Sequence, residues 1–138
     1  MRIISLDVGE KRIGFAISDT GLSVALGLFV YERKNLDEDI EEIKRLIEKY
    51  DVEEIVVGIP VDISGRIGKN GKKVTEFAEE VGKRTGKKIV LWDERFSTNE
   101  AHRIMDLKAI NHKKRKKYID IMAAQIILQG YLDARRQE

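Results

Sequence analysis

The chain has 138 residues, 42% of them hydrophobic, which is enough for one domain with its own core. It has no cysteine, so disulfides and thiolate metal sites are excluded, and any metal must sit on oxygen ligands or on His102 and His112. The net charge is only +2, but it is unevenly spread: residues 32–54 hold ten acids and five bases, while residues 101–117 hold seven Lys or Arg and one acid, Asp106. Arg66, Lys69, Lys72 and Lys73 add a second basic segment with no acid among residues 64–75. One acidic and two basic stretches point to a polyanionic partner on one face, or to ordinary solvated surface charge. The first residues run directly into a strand pattern with no charged leader and cleavage site. No apolar run approaches the ~20 residues of a membrane span. A cytoplasmic protein without a membrane partner is the expectation. The high charged fraction (36%) and scarce Asn and Gln also occur in thermophile proteins.

In chain order, residues 2–8 read as a first strand. The G-E-K-R turn has hairpin length and leads to a second strand over 12–19, and D-T-G leads to a third over 24–32. These three make an antiparallel meander. Asn35 can then cap a helix over about 36–50, with Ile40, Ile43, Leu46 and Ile47 on one stripe. Residues 54–59 form a short continuous apolar run, as in a strand buried on both faces, ended by Pro60. A Gly- and Lys-rich flexible loop is expected over 61–73. A helix over about 74–85 follows, stopped by Gly86. Residues 88–93 are the fifth strand. A short helix capped by Ser97 or Thr98, a basic connection over 107–114 and a last helix over about 115–134 complete the chain. The order βββαβαβαα implies an α/β fold: a mixed five-stranded sheet, three antiparallel strands then parallel crossovers, with helices on both faces.

Four acids stand in apolar surroundings. Asp7 ends the first strand, Asp93 and Glu94 end the fifth, and Asp120 lies in Y-I-D-I-M-A-A-Q-I-I-L, where Ala123 and Ala124 permit close approach to the sheet. Successive strand side chains point to opposite faces, so Asp93 and Glu94 meet one spot only if the strand has already turned. Taken singly, Asp7 could cap a turn and Asp120 could pair with Lys116 or Lys117. Taken together, carboxylates from three elements repel each other and resist burial unless a hard cation joins them. Mg2+ suits such oxygen ligands, and two ions ~4 Å apart can promote phosphodiester cleavage.

The segments D-V-G-E-K-R-I-G-F-A-I-S-D (7–19), V-V-G-I-P (56–60), D-E-R-F-S-T (93–98) and D-I-M-A-A-Q-I-I-L (120–128) resemble, in order, the motifs of the YqgF family. Its members are described as candidate pre-16S ribosomal RNA nucleases and candidate Holliday junction resolvases. The resemblance implies a ribonuclease H-like fold and a metal-dependent endonuclease using Mg2+ or Mn2+, with two ions expected. It implies Asp7, Glu94 and Asp120 as catalytic metal ligands, with Asp93 the competitor of Glu94. Lys11, Arg12, Arg66, Lys72, Lys73, Arg95, Lys113, Lys114 and Arg115 are the expected nucleic-acid contacts. With few aromatics, backbone and shape recognition is expected over base stacking. Trp92 is expected in the core. RNA is favoured over branched DNA, with the small-subunit precursor as partner and a monomer or weak homodimer as the assembly. The chain departs from better-known resolvases of this fold in one respect. Those carry an acid at the end of the fourth strand, where this chain has Gly58, Ile59 and Pro60. Two other classes stay open: an ATP-binding domain of the actin and sugar-kinase type, which shares the D-x-G hairpin but needs a second such domain, and a non-catalytic RNA-binding assembly factor.

Overall fold

Asp7 sits at the exit of the central strand of the sheet, and the architecture follows from that strand. The computed structural model describes residues 1–61, 65–94 and 112–136, without the side chains of 112–116. Five strands, β1 (Arg2–Val8), β2 (Arg12–Ser18), β3 (Ala25–Glu32), β4 (Val52–Ile59) and β5 (Lys88–Asp93), form one sheet in the order β3-β2-β1-β4-β5. β1 pairs antiparallel with β2, and β2 with β3, while β1, β4 and β5 run parallel. The expected meander and crossovers are therefore present. The helices are α1 (Leu36–Tyr50), α2 (Lys69–Thr85) and α3 (His112–Arg136). The short helix expected after Ser97 lies outside the described residues.

The two sheet faces are built differently. On one, Ile4, Leu6, Ile13 and Phe15 pack against Ile40, Ile43 and Leu46 of α1 and Val74, Phe77 and Val81 of α2. Asn35 caps α1 as expected, its side-chain oxygen accepting from the Glu38 amide at 2.9 Å. On the other face, Ile3, Ala16 and Val56 pack against Ala124, Ile127, Leu128 and Leu132 of α3. Trp92 is half-buried at the border of this second core, edge-on to Tyr131 at 5.7 Å between ring centroids.

The second face brings backbone against backbone. The Ser5 hydroxyl donates to the Ala124 carbonyl of α3 at 2.6 Å, so the small residues 123 and 124 do admit the helix closely. Gly14 is the tightest point: a Cβ there would fall 2.2 Å from the Asp120 carbonyl oxygen. Gln125 and Gln129 then tie α3 to the start of β3, donating to the Ala25 and Ser23 carbonyls at 3.1 and 2.9 Å.

Three boundaries differ from expectation, one of them that of α3, which runs His112–Arg136 rather than about 115–134 and so takes in the end of the expected basic connection. β4 begins two residues early, at Val52, beside Arg2 of β1. α2 begins at Lys69 rather than near 74, so Lys72 and Lys73 are helical and not in a flexible loop. K-N-G-K-K is a weak helix former on its own. It is fixed by tertiary contact: Gly71 is buried where a Cβ would meet Ile67 and the Pro60 carbonyl, and Ile67 bridges back to Val61.

Gly14→Ala should therefore lower stability by about 2–3 kcal/mol, because neither contacting backbone can move without unpacking α3. Urea unfolding should show a lower midpoint with an unchanged slope; a wild-type midpoint would refute the close approach.

Candidate active site

The exits of the parallel strands β1, β4 and β5 lie at one edge of the sheet, the place where open α/β sheets collect ligands. Strand alternation puts Ile3, Ser5 and Asp7 on the α3 face of β1. Asp7 stands opposite Gly14, the residue against which α3 presents Asp120. β5 ends at Asp93, and the next residue leaves the strand while its amide still donates to the Ile59 carbonyl at 3.1 Å. Glu94 is thus free of strand alternation. Its carboxyl turns inward onto Asp7, while Asp93 is exposed.

Gly58 explains the missing acid of the fourth strand. A Cβ on Gly58 would lie 2.7 Å from Glu94 Oε2 and 2.4 Å from Ile127 Cδ1. The Glu94 carboxyl, arriving from β5, occupies the space that a side chain on β4 would fill. The absence at residues 58–60 is a vacancy filled by a neighbouring strand.

The electrostatics of this corner are unfavourable in the free protein. Burial pushes the Asp7 carboxyl well above the usual carboxylate range, and the charge and hydrogen bond of Glu94 and the charge of Asp120 push it further. Burial raises Glu94 as well; its hydrogen bond with Asp7 opposes the rise and the charge of Asp93 adds to it. Glu94 Oε2 is buried and meets no hydrogen-bond donor among the described residues. Asp120 is balanced differently: Arg12 Nε donates to its Oδ2 at 2.7 Å. Of the expected alternative partners, Lys117 makes no ion pair with it among the described residues, and the side chain of Lys116 lies outside them. No three acidic or imidazole side chains among the described residues yet form a closed metal cage. The oxygen donors that could hold a cation are Asp7 and Glu94 directly and Asp120 beside them. Their chemistry fits a hard divalent ion: two half-buried carboxyls, one of their oxygens buried and orphaned, no soft ligand. His102 lies outside the described residues, as does the side chain of His112.

A cavity of about 960 Å3 opens from Glu94 and is walled by the β1–β2, β3–α1 and β4–α2 connections. Lys11 and Lys34 line it from the β1–β2 and β3–α1 connections and Lys73 from the first turns of α2, and none makes an ion pair among the described residues. Lys34 and Asn70, also in the lining, were not singled out from sequence; Lys34 was lost in the acidic stretch that follows it. Arg33 cross-links the cavity wall. Arg33 donates from Nε to the buried Asp39 at 3.0 Å and from a terminal nitrogen to the Gly9 carbonyl at 2.8 Å, and its guanidinium lies 4.8 Å from the Phe77 ring centroid. Of the other expected phosphate contacts, Arg66 and Lys72 are exposed but outside the lining, and Arg12 reaches both the lining and Asp120. Arg95 and the side chains of Lys113, Lys114 and Arg115 fall outside the described residues.

The family described as RuvX, Holliday junction resolvase, matches residues 1–134. The chain belongs to this family. It is the YqgF family of the motif resemblance. A protein of Thermoanaerobacter pseudethanolicus is 45% identical over the full length of both chains, and one of Halothermothrix orenii is 47% identical over 96% of this chain and 95% of its own. Both carry the name "Putative pre-16S rRNA nuclease". The fold matches Thermus thermophilus RuvC in complex with a Holliday junction substrate, with a TM-score of 0.61 at 12% identity over 99% of this chain and 96% of that one. It also matches the Fowlpox virus resolvase bound to junction DNA, with a TM-score of 0.60 at 14% identity over 98% and 99%. The ribonuclease H-like fold of this RuvX-family chain is thereby established.

A carboxyl whose proton affinity is raised by folding is stabilising only while protonated. The metal-free protein should hence lose stability as pH rises from the unfolded carboxylate value, near 4, through the raised native value of Asp7. Asp7→Asn removes that loss. It should raise the neutral-pH melting temperature of the metal-free protein by a few degrees, on the order of 1 kcal/mol. A fall in melting temperature in calorimetry at pH 7 would contradict the strained pair.

Proposed function

We propose that this RuvX-family chain is a divalent-metal-dependent endonuclease acting on structured nucleic acid, with the 5′ region of the 16S ribosomal RNA precursor as its substrate. The observation carrying the proposal is the half-buried Asp7–Glu94 pair, with its buried, orphaned Oε2, set beside Asp120 at the exits of the parallel strands. Asp7 and Glu94 are assigned as ligands of Mg2+ or Mn2+, and Asp120 as the third acid of the site. Asp93 is assigned no ligand role; its charge favours a protonated Glu94 in the free protein. When bound, such an ion supplies Lewis-acid polarisation of a phosphoryl oxygen and makes water a nucleophile at neutral pH. The protein's own part is positional. Glu94 orients water at the strand exit, Asp120 is held by Arg12, and the Arg33–Asp39 clamp keeps the β1–β2 turn in place while Lys11, Lys34 and Lys73 take backbone phosphates. Arg66, Lys72, Arg95, Lys113, Lys114 and Arg115 are assigned to the flanking backbone. RNA comes first because curated relatives at 43–47% identity carry the rRNA name. A nuclease acting on precursor ribosomes is assigned to the cytoplasm.

A second reading, resolution of four-way DNA junctions, follows from the family description. Symmetric incision requires two active sites and hence a dimer. A monomer by light scattering would count against it.

Purified protein with Mg2+ or Mn2+ should cut a 5′-extended 16S precursor. Asp7→Asn and Asp120→Asn should each lower the rate at least about 100-fold while leaving binding intact. Binding without cleavage of either the precursor or a four-way junction would establish a non-catalytic assembly factor instead.

Phosphate contacts have their own signature. Lys34→Ala and Lys73→Ala should each weaken binding and lower the slope of log affinity against log salt by about 0.7–0.9. Lys87→Ala, before the far end of β5, should do neither. Unchanged slopes for the first two would remove the cavity from the binding surface.

A further inference from the structure

Arg12 was expected to contact phosphate, yet its Nε is committed to a carboxylate of the acidic corner. The pair is partly enclosed, with 30% of the Arg12 side chain and 21% of the Asp120 side chain exposed. Both ends are fixed. Arg12 opens β2, where its carbonyl accepts from the Gly9 amide at 2.8 Å, and Arg33 clamps the same turn through the Gly9 carbonyl. Asp120 is pinned through its backbone, which lies against Gly14. Neither side chain has to search for the other.

The charges of the corner then sum simply. Asp7, Glu94 and Asp120 supply three negative charges when ionised, and Arg12 returns one positive charge; Asp93, whose charge also reaches Glu94, is exposed to solvent and is left outside the sum. The remaining two are matched by one divalent ion. A second would leave the corner with a surplus of two positive charges until a phosphodiester arrived. A further acid on the fourth strand would have altered that sum, but Glu94 already fills the space over Gly58.

We propose that Arg12 is a positioning residue that acts through Asp120 as the built-in cation of the site: it holds Asp120 Oδ2, limits the substrate-free protein to one divalent ion at Asp7 and Glu94, and reserves any second ion for the complex with nucleic acid. This rests on the metal-dependent reading above and sharpens it, since two ions were expected from the family resemblance. Arg12 also lines the phosphate cavity, so the residue that limits metal loading stands where the substrate backbone enters. An incoming phosphate can draw on the same guanidinium and relax its hold on Asp120.

The test is a count of bound Mn2+ by electron paramagnetic resonance of the free ion, on wild type without nucleic acid. One ion per chain is expected, rising to two with a saturating, non-cleavable phosphorothioate strand. Two ions without nucleic acid would overturn the role of Arg12 and leave the metal reading standing. No bound ion would overturn both. Arg12→Gln should bind Mn2+ on the order of tenfold more tightly and admit a second ion without nucleic acid. Arg12→Lys, which keeps the charge, should count one ion like wild type. A merely structural role for Arg12 predicts the opposite for Arg12→Gln, weaker or unchanged binding, and that result would refute the proposal. The wild-type count stands even if the Gln variant fails to fold.

Discussion

Two carboxyl groups pressed together in an apolar corner are the constraint around which the structure is arranged. Asp7 leaves the middle of the sheet with no room to turn away, because β2 covers one side, β4 the other, and α3 closes the top. Glu94 is pressed against it by a strand end tied to the Ile59 carbonyl. In such surroundings like charges are poorly screened, and a proton or a cation must join the pair. The fold does not relieve this strain with a hydrogen-bond donor; Glu94 Oε2 is left without one among the described residues. Functional sites hold such unfavourable arrangements while the rest of the molecule supplies stability, here through two apolar cores on opposite faces of one sheet.

The two arginines near this edge show how similar ion pairs serve different ends. Arg33 meets Asp39, whose side chain is 2% exposed, and also the Gly9 carbonyl and the face of Phe77. That is a closed network with every charge matched, and it makes the β1–β2 turn stiff. Arg12 meets Asp120 at the mouth of a cavity, partly open to solvent and beside two unmatched carboxyls. The first pair fixes the geometry in which the second operates. Positioning of this kind matters because catalytic groups must be held to a fraction of an ångström.

Most of the fold was legible because its signals are local. Period-two runs, a capped amphipathic helix and a glycine stop at residue 86 each name their own element. The start of α2 was not legible: K-N-G-K-K reads as a loop, and its helical state depends on Gly71 fitting under Ile67 and Pro60 of the connection that leads into it. The site was legible to the level of three elements and no further. Alternation along β5 could not tell which of Asp93 and Glu94 turns onto Asp7, because Glu94 stands one residue after the strand ends. Arg12 was read as a phosphate contact, since nothing local reveals an acid 108 residues away. Lys34 was hidden by the acidic residues after it, although its side chain lines the cavity rather than the helix surface.

The space over Gly58 bears on how one sheet tolerates different side chains at its strand exits. At 12–14% identity the resolvase structures share this sheet but few of its side chains. What a metal site needs is an oxygen at a point in space, and adjacent parallel strands end close enough for either to supply it. A carboxylate on β4 and a glutamate reaching over from beyond β5 are two ways to fill one volume. They exclude each other, because a side chain at residue 58 would collide with Glu94 Oε2 and with Ile127 of α3. Gly58 is therefore the complement of Glu94, and moving the acid back to β4 would require Glu94 and the packing of α3 to change with it.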